Sequence, residues 1–574
     1  MRAVATFRHN SAQFKLKQSR SEVRRALRWL IAVSMLVAVT QTASNASPAA
    51  SPVVSKARLT LAPQSDRNPP AIQRERLMLA LVHCQSCLKT RLYVLPGAFS
   101  REAVPTEPSI EVSRPEFRGD MPTSTKVRFK TAKATQPEQE KSEIADAMGR
   151  YRALRWFAII SMLAIISWIL IDLFGPIPKY QLSQSPHGDL TSSGFQRELE
   201  ALAGSHLDPH TQIESLPNGT NFYQAELEAI AAAQKSIDWE AYIFSKGEIA
   251  KKIVDALTER ARAGVQVNLV MDAVGSLSTP KKFFNELRQA GGNVQWYHPV
   301  RWYNWPRANN RTHRELIVID GKVGFLGGAG VADHWWHGKK ENAAWRDTMF
   351  KVTGTAVRSL QSTFVENWLE SSGQILIGDK YFDAEQNSDG ATAMVVDSSP
   401  SQGGSTRARI VYQTLIASAK KSLKITTPYF LPDESLRKEL VRAIEERHVR
   451  VQILVPGKHS DHSMTRGSSR GTYGDLLRAG AEIYEYQPTM IHAKIMIVDD
   501  VWCVVGSTNF DHRSFGWNDE VNLAVLDPGL AAKLNANFQD DLAKAHRQTL
   551  EEWEHRPVWE RGMEWLGWLI AREQ

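Results

Sequence analysis

A chain of 574 residues with 43% apolar and 23% charged residues can bury more than one packed core, which excludes a wholly disordered protein. Its formal charge of +8 points to anionic partners, nucleic acid or an acidic membrane surface, although the excess is small for this length. The three cysteines decide little. Cys84 and Cys87 form one C-x-x-C with neither a second pair nor a downstream H-x3-H, which argues against zinc, and Cys503 has no partner within its half.

In chain order, the first apolar segment is WLIAVSMLVAV, Trp29 to Val39. It follows Lys15, Lys17, Arg20, Arg24, Arg25 and Arg28 and runs into TASNASPAAS, so a signal or anchor segment is expected near residues 29–42. Residues 43–141 are rich in Pro, Ser, Thr and mixed charge, with apolar periodicity only around RERLMLALVHC, and residues 1–147 read as a poorly ordered extension. The second segment, Trp156 to Ile171 (WFAIISMLAIISWILI), is closed by Asp172 and GPIP and approaches the roughly 17–20 apolar residues of a membrane-spanning helix. Residues 148–180 are therefore expected to form a transmembrane anchor. The two segments resemble each other, RALRW…SML running into both at Arg25–Leu36 and Arg152–Leu163, and each is preceded by bases that belong on the cytoplasmic side. As a consecutive pair the two could not both satisfy that demand. The expectation is one working anchor, Trp156–Ile171, with residues 1–147 dispensable and translation able to begin at Met148.

From residue 185 amphipathic helices alternate with short apolar strands, which predicts an α/β fold with a mixed, largely parallel sheet. The alternation is duplicated. AELEAIAAAQKSIDWEAYIF matches YQTLIASAKKSLKITTPYF, ALTERARAGVQVNLVMD matches AIEERHVRVQILVPG, and ELRQAGGNVQWY matches DLLRAGAEIYEY. Two homologous halves are expected, at 185–378 and 390–574.

The last matched pair carries chemistry. MIHAKIMIVDDVWCVVGSTNFDHRSF contains His492, Lys494 and Asp499 in an H-x-K-x4-D spacing. On a strand His492 and Lys494 share one face, so an imidazole able to attack phosphorus or move a proton lies beside an ammonium able to hold phosphate oxygens. Ser507 and Asn509, after the next strand, can add neutral donors. The first half answers with THRELIVIDG: His313 and Asp320 are in place, but Glu315 stands where the lysine belongs, and Gly330 of GGAG stands where GSTN has Asn509. A bare carboxylate beside a phosphate would be repulsive, so a cation is expected to offset Glu315, with Arg311 and Arg346 as candidates.

The two spaced motifs identify the chain as resembling the phospholipase D superfamily over about residues 190–570. PYFLPD, ILVPG, GSTNFDHRSF and NDEVNL are similar to bacterial cardiolipin synthases. The resemblance implies two halves sharing one active site, Asp320 and Asp499 within the catalytic set, and Asp347 of WRDT and Glu520 of NDEV orienting the opposing histidines. It further implies a covalent phosphatidyl-histidine without metal or cofactor, with His313 as nucleophile and His492 as acid/base, the reverse order remaining open. For a cardiolipin synthase donor and acceptor would both be phosphatidylglycerol. Water as acceptor would make a phospholipase and a nucleic acid substrate a nuclease, while decay of the first motif would leave a binding protein. The anchor favours a lipid substrate at the bacterial inner membrane, with the catalytic region on its outer face, and no nucleic acid partner is expected. Trp302, Tyr303 and Trp305 in VRWYNWPRANNR suit a lipid interface, or packing under a loop. Trp559, Met563, Trp565, Leu566 and Leu569 suggest a C-terminal amphipathic helix against membrane or core. Sequence leaves the oligomeric state open.

Overall fold

The computed structural model describes residues 136–174, 179–184, 188–301, 307, 309–338, 343–383, 389–400 and 406–569. The segment Trp29–Val39, most of the N-terminal extension, and Trp302, Tyr303 and Trp305 lie outside these residues. The chain divides into two units, residues 1–165 and 166–574. A helix at Gln136–Phe174 crosses the division, and its stretch Ala145–Trp168 is long and apolar enough to cross a membrane. Trp156, Ile160, Met162, Leu163, Ile165 and Trp168 along it are exposed.

In the second unit, the Val/Ile-rich runs form strands because β-branched side chains pack on a pleated surface, while Asp and Gly between them supply the turns. The first half contributes β1 (Leu207–Pro217), β2 (Ser236–Ala241), β3 (Gln266–Asp272), β4 (Asn293–Tyr297), β5 (Leu316–Ile319), β6 (Val323–Gly327) and β7 (Thr348–Gly354). The second contributes β8 (Ala391–Ser398), β9 (Ser422–Thr426), β10 (Phe430–Leu431), β11 (Arg450–Pro456), β12 (Glu482–Tyr486), β13 (Ile495–Val498), β14 (Trp502–Gly506), β15 (Phe510–Asp511), β16 (Glu520–Leu526) and β17 (Ala545–Gln548). One large sheet runs β17-β12-β11-β9-β13-β14-β16-β8-β1-β7-β6-β5-β2-β3-β4, and β10 pairs with β15 separately.

Read outward from the antiparallel β1–β8 seam, the order β1-β7-β6-β5-β2-β3-β4 on one side is repeated as β8-β16-β14-β13-β9-β11-β12 on the other. The duplication seen in the sequence is thus a duplication of topology. The sheet is mixed, as expected, but not largely parallel. Parallel ladders are confined to β2-β3-β4 and β9-β11-β12, where helices cross over, whereas the tight hairpins β5–β6 and β13–β14 turn the chain back on itself.

Helices at Gly219–Ala232 and Glu248–Arg262 cover one core of the first half, and those at Arg407–Ser418 and Glu434–Glu445 cover its counterpart in the second. A third core lies beneath the seam and takes Val318, Phe350 and Leu360 from one half with Val395, Ile497 and Leu523 from the other. That shared core fixes the two halves against each other, and the motifs lie at corresponding places on either side of it.

Candidate active site

Each motif histidine immediately precedes a central strand, His313 before β5 and His492 before β13, and its backbone is bonded to the other half. His313 N–H donates to Asp519 O (2.8 Å) and Asp519 N–H to Arg311 O (2.9 Å). In mirror fashion His492 N–H donates to Arg346 O (2.7 Å) and Arg346 N–H to Met490 O (2.8 Å). These crossed bridges put each carboxylate expected to orient a histidine beside the imidazole of the opposite repeat. His313 Nδ1 lies 3.1 Å from Glu520 Oε2 and 3.1 Å from Ser507 O, and His492 Nδ1 lies 3.0 Å from Asp347 Oδ2. With acceptors at Nδ1, the proton belongs there and Nε2 keeps its lone pair for chemistry.

Asp347 and Glu520 are buried. Burial works against ionisation of Asp347, but the bond from His492 and the charges of His492 and Lys494 outweigh it and hold its carboxyl below the usual range. Burial and the Lys494 charge push His492 below an ordinary histidine, so its neutral form is favoured. Lys494 is itself drawn down to about 8, chiefly by burial, against the pull of Asp347, Glu520 and Glu315. Its Nζ donates to His492 O (2.8 Å) and sits 2.8 Å from Nδ1 and 3.1 Å from Nε2 of that ring. Imidazole and ammonium are therefore in contact, as strand alternation predicted.

Other expected residues are placed differently. Ser507 Oγ donates to Glu520 Oε2 (2.5 Å) and accepts from Val521 N–H (3.0 Å), so it steadies a carboxylate and is not a free phosphate donor. Asn509 is buried, and its Oδ1 has no hydrogen-bond partner. Asp320 and Asp499, grouped with the catalytic residues from sequence, sit at the far ends of β5 and β13. Asp320 accepts from the N–H groups of Gln234, Lys235 and Ser236, and Asp499 from those of Lys420, Lys421 and Ser422. Both have positive φ (54° and 52°), which Asp tolerates better than most residues, and both tie the hairpin to the helix–strand turn beside it.

Neither arginine offered for Glu315 reaches it. Arg311 is drawn to buried Asp272 (3.3 Å) and to His298 O (2.8 Å), and Arg346 to Asp541 (3.0 Å), so both are committed to other carboxylates. Glu315 Oε1 instead accepts from the N–H groups of Tyr242 and Ile243, both at 3.2 Å. Burial raises its carboxyl well above the usual range, opposed by the Ile243 bond and by Lys494, the cation it faces. The neighbouring glycines fit this arrangement. A Cβ on Gly330 would lie 2.4 Å from Ile243 O and 2.8 Å from Glu315 Oε1, and one on Gly328 would lie 2.9 Å from Lys494 Nζ. Glu315 and the bare GGAG loop therefore occupy the space that GSTN fills with side chains in the second half.

Aromatic residues that the motif reading did not single out line the site. Tyr242 packs on His313 (ring centroids 5.0 Å), and Trp335, Trp345 and Tyr429 surround His492 at 5.5, 5.6 and 6.3 Å. Trp335 Nε1 also donates to Asp347 Oδ2 (3.1 Å). The strand-end strings AYIF and PYF contain Tyr242 and Tyr429, whereas no string singled out in the sequence contains Trp335 or Trp345.

Comparison with known proteins agrees with this geometry. The family described as "Cardiolipin synthase, PLD-like domain" matches residues 227–368 and 412–542, one segment in each half. The major cardiolipin synthase of Bacillus subtilis (strain 168) is 36% identical over 363 residues, covering 62% of this chain and 74% of that protein. The chain belongs to the cardiolipin synthase family. A cardiolipin synthase of Clostridium perfringens (strain 13) is 32% identical over 72% of this chain and 93% of its own length. Among solved structures, the phosphatidylserine synthase of Haemophilus influenzae shares the fold, with a TM-score of 0.52, 16% identity and coverage of 66% of this chain and all of that one.

Proposed function

We propose that this cardiolipin synthase family member is a membrane-anchored phosphatidyltransferase that converts two molecules of phosphatidylglycerol into cardiolipin and glycerol at one site shared by the two halves. The observation that carries this reading is the crossed bracing of His313 by Glu520 and of His492 by Asp347, which orients two imidazoles, with Lys494 in contact with His492. His313 Nε2 attacks the phosphorus of the donor lipid, a phosphorus–nitrogen bond forms, and the bond to the glycerol oxygen breaks while His492, entering this step in its less populated imidazolium form, supplies the proton from Nε2. A hydroxyl of the second phosphatidylglycerol then gives its proton to His492 and attacks phosphorus, and the bond to His313 breaks. Lys494 and the Asn509 amide offset the charge that gathers on the non-bridging oxygens. Asp320 and Asp499 serve the fold, holding the strands that carry the histidines.

The helix at Gln136–Phe174 is read as the anchor. Arg150, Arg152 and Arg155 before its apolar stretch favour a cytoplasmic N-terminal end and delivery of the catalytic halves to the outer face. The test is product analysis of the full chain in detergent with phosphatidylglycerol. Cardiolipin and glycerol in equal amounts support the transferase; phosphatidic acid with glycerol would make water the acceptor and the protein a phospholipase.

A further inference from the structure

The proposed reaction needs two anionic lipids at once, and the first motif contributes Glu315 where a lysine would stand. Lys494 is then the single motif lysine, and it serves the reacting phosphate. The acceptor's own phosphodiester, which does not react, needs cations elsewhere.

A cleft of about 310 Å³ lies beside the first motif, lined by Lys281, Trp296, His298, Arg301, Arg307 and Glu370, with Gln295, Pro299 and Ser371 completing it. Its one carboxylate is already committed. Glu370 Oε1 pairs with His298 Nε2 (2.9 Å) and Arg307 Nη1 (2.7 Å), and the bond from His298 holds Glu370 below the usual carboxylate range. Lys281 is held over the Trp296 ring at 5.8 Å. The cleft is lined by the basic side chains Lys281, His298, Arg301 and Arg307 against a single carboxylate, a balance that suits an anionic ligand. The cleft also connects to the catalytic strand. His298 Nδ1 contacts Asn310 O (3.1 Å) and Arg311 Nη2 donates to His298 O (2.8 Å), three and two residues before His313.

We propose that this cleft binds the phosphodiester head group of the acceptor phospholipid, and so decides whether an alcohol or water completes the reaction. The proposal rests on the transferase reading above. A phosphodiester offers two non-bridging oxygens to the basic side chains, while the glycerol beyond it extends toward the histidines.

The test changes Lys281→Gln and Arg307→Gln together in the full chain and follows cardiolipin, phosphatidic acid and glycerol in phosphatidylglycerol micelles. Cardiolipin formation should fall about tenfold or more while glycerol release falls less than about threefold, so that phosphatidic acid replaces cardiolipin. Unchanged cardiolipin, or parallel loss of cardiolipin and glycerol, would overturn the proposal. So would the same product shift in a Lys251→Gln/Lys252→Gln control, which removes equal charge from an exposed helix elsewhere. Binding is read separately by calorimetry in an inactive His313→Ala/His492→Ala background with a soluble short-chain phosphatidylglycerol. Two sites should become one when the cleft is changed; two in both cases would refute it, and inorganic phosphate occupying the cleft as tightly as the lipid would overturn the lipid assignment. Failure of the unmodified chain to make any cardiolipin would instead refute the transferase reading, whatever the number of binding sites.

Discussion

Glu315 is the sharpest departure from the family motif, and two substitutions there test whether it is a decayed lysine or an integral part of the site. Restoring the lysine, Glu315→Lys, would remove the acceptor for the N–H groups of Tyr242 and Ile243, both held at 3.2 Å. Leaving two half-buried donors unmade costs up to about 2–6 kcal/mol in total. The new ammonium would also face the ammonium of Lys494, where a carboxyl whose neutral form burial favours now stands. A like-charge pair several ångströms apart in a partly buried site adds on the order of 2–3 kcal/mol. The sum approaches the whole stability of an ordinary domain, about 5–15 kcal/mol. Glu315→Lys is therefore expected to melt well below the unmodified protein and to lose cardiolipin synthesis. Glu315→Gln keeps an oxygen acceptor in place of a carboxyl whose neutral form burial already favours, so its turnover should stay within about tenfold, or 1.4 kcal/mol. Thermal unfolding in detergent, paired with initial rates of cardiolipin formation, separates the two effects. A stable Glu315→Lys protein as active as the original would show that the lysine site had simply been lost. A Glu315→Gln protein as inactive as a histidine variant would give the carboxyl a chemical role.

His313→Ala and His492→Ala should each reduce turnover by about a thousandfold or more with little change in thermal stability, and labelled lipid should be trapped on His313 when His492 is the residue changed; label on His492 would reverse the assigned roles. Lys494 is cationic below about 8 and neutral above it, so kcat/KM should fall as pH rises through that value, and Lys494→Arg should move the alkaline limb upward because a guanidinium stays protonated. An unmoved limb would assign it to another group. Asp320→Ala leaves three backbone N–H groups without their acceptor, so it should lower stability by about 2–3 kcal/mol while the folded fraction keeps its turnover; loss of turnover in a fully folded variant would return Asp320 to the catalytic set.

The sequence made the duplication legible because both halves keep the same succession of helix, strand and histidine motif, and strand alternation correctly put His492 and Lys494 on one face. What it could not carry was direction along the chain. The motif aspartates are seven residues from their histidines, a separation that suggests a shared site when written in one line, yet β5 and β13 lie between and carry Asp320 and Asp499 to the opposite edge. The arginines failed as partners of Glu315 for a related reason. Sequence nearness gave Arg311 a claim on it, and a place in WRDT, the counterpart of NDEV, gave Arg346 one, but Asp272 and Asp541 arrive from distant segments and take them first. Parallel pairing was overestimated because the periodicity of β5–β6 and β13–β14 resembles that of the helix-linked strands, and only the two-residue turns at Asp320–Gly321 and Asp499–Asp500, all with positive φ, reveal the reversal. The aromatic lining was hidden because Trp335 and Trp345 belong to no repeated or spaced motif, and only the fold brings them to His492.

The crossed bonds also bear on why the two halves can differ so much at corresponding positions. His313 depends on Glu520 and Ser507 from the second repeat, and His492 on Asp347 and Trp335 from the first, so each half supplies the support for the other's histidine. Loss of either support would disable one imidazole, which ties Asp347 and Glu520 to the chemistry in both repeats. The phosphate-facing positions carry no such reciprocal demand. On the proposed mechanism one lysine serves one reacting phosphate, and with Lys494 in that role its counterpart can become a glutamate, provided the carboxyl finds donors and the loop beside it gives up its side chains. Tyr242 and Ile243 provide the donors, and Gly328 and Gly330 provide the space. Glu315 and the two glycines are on this reasoning one coupled change, and Gly330→Asn made alone would drive a side chain into Ile243 O, 2.4 Å from the added Cβ, without recreating the amide that Asn509 presents in the second half.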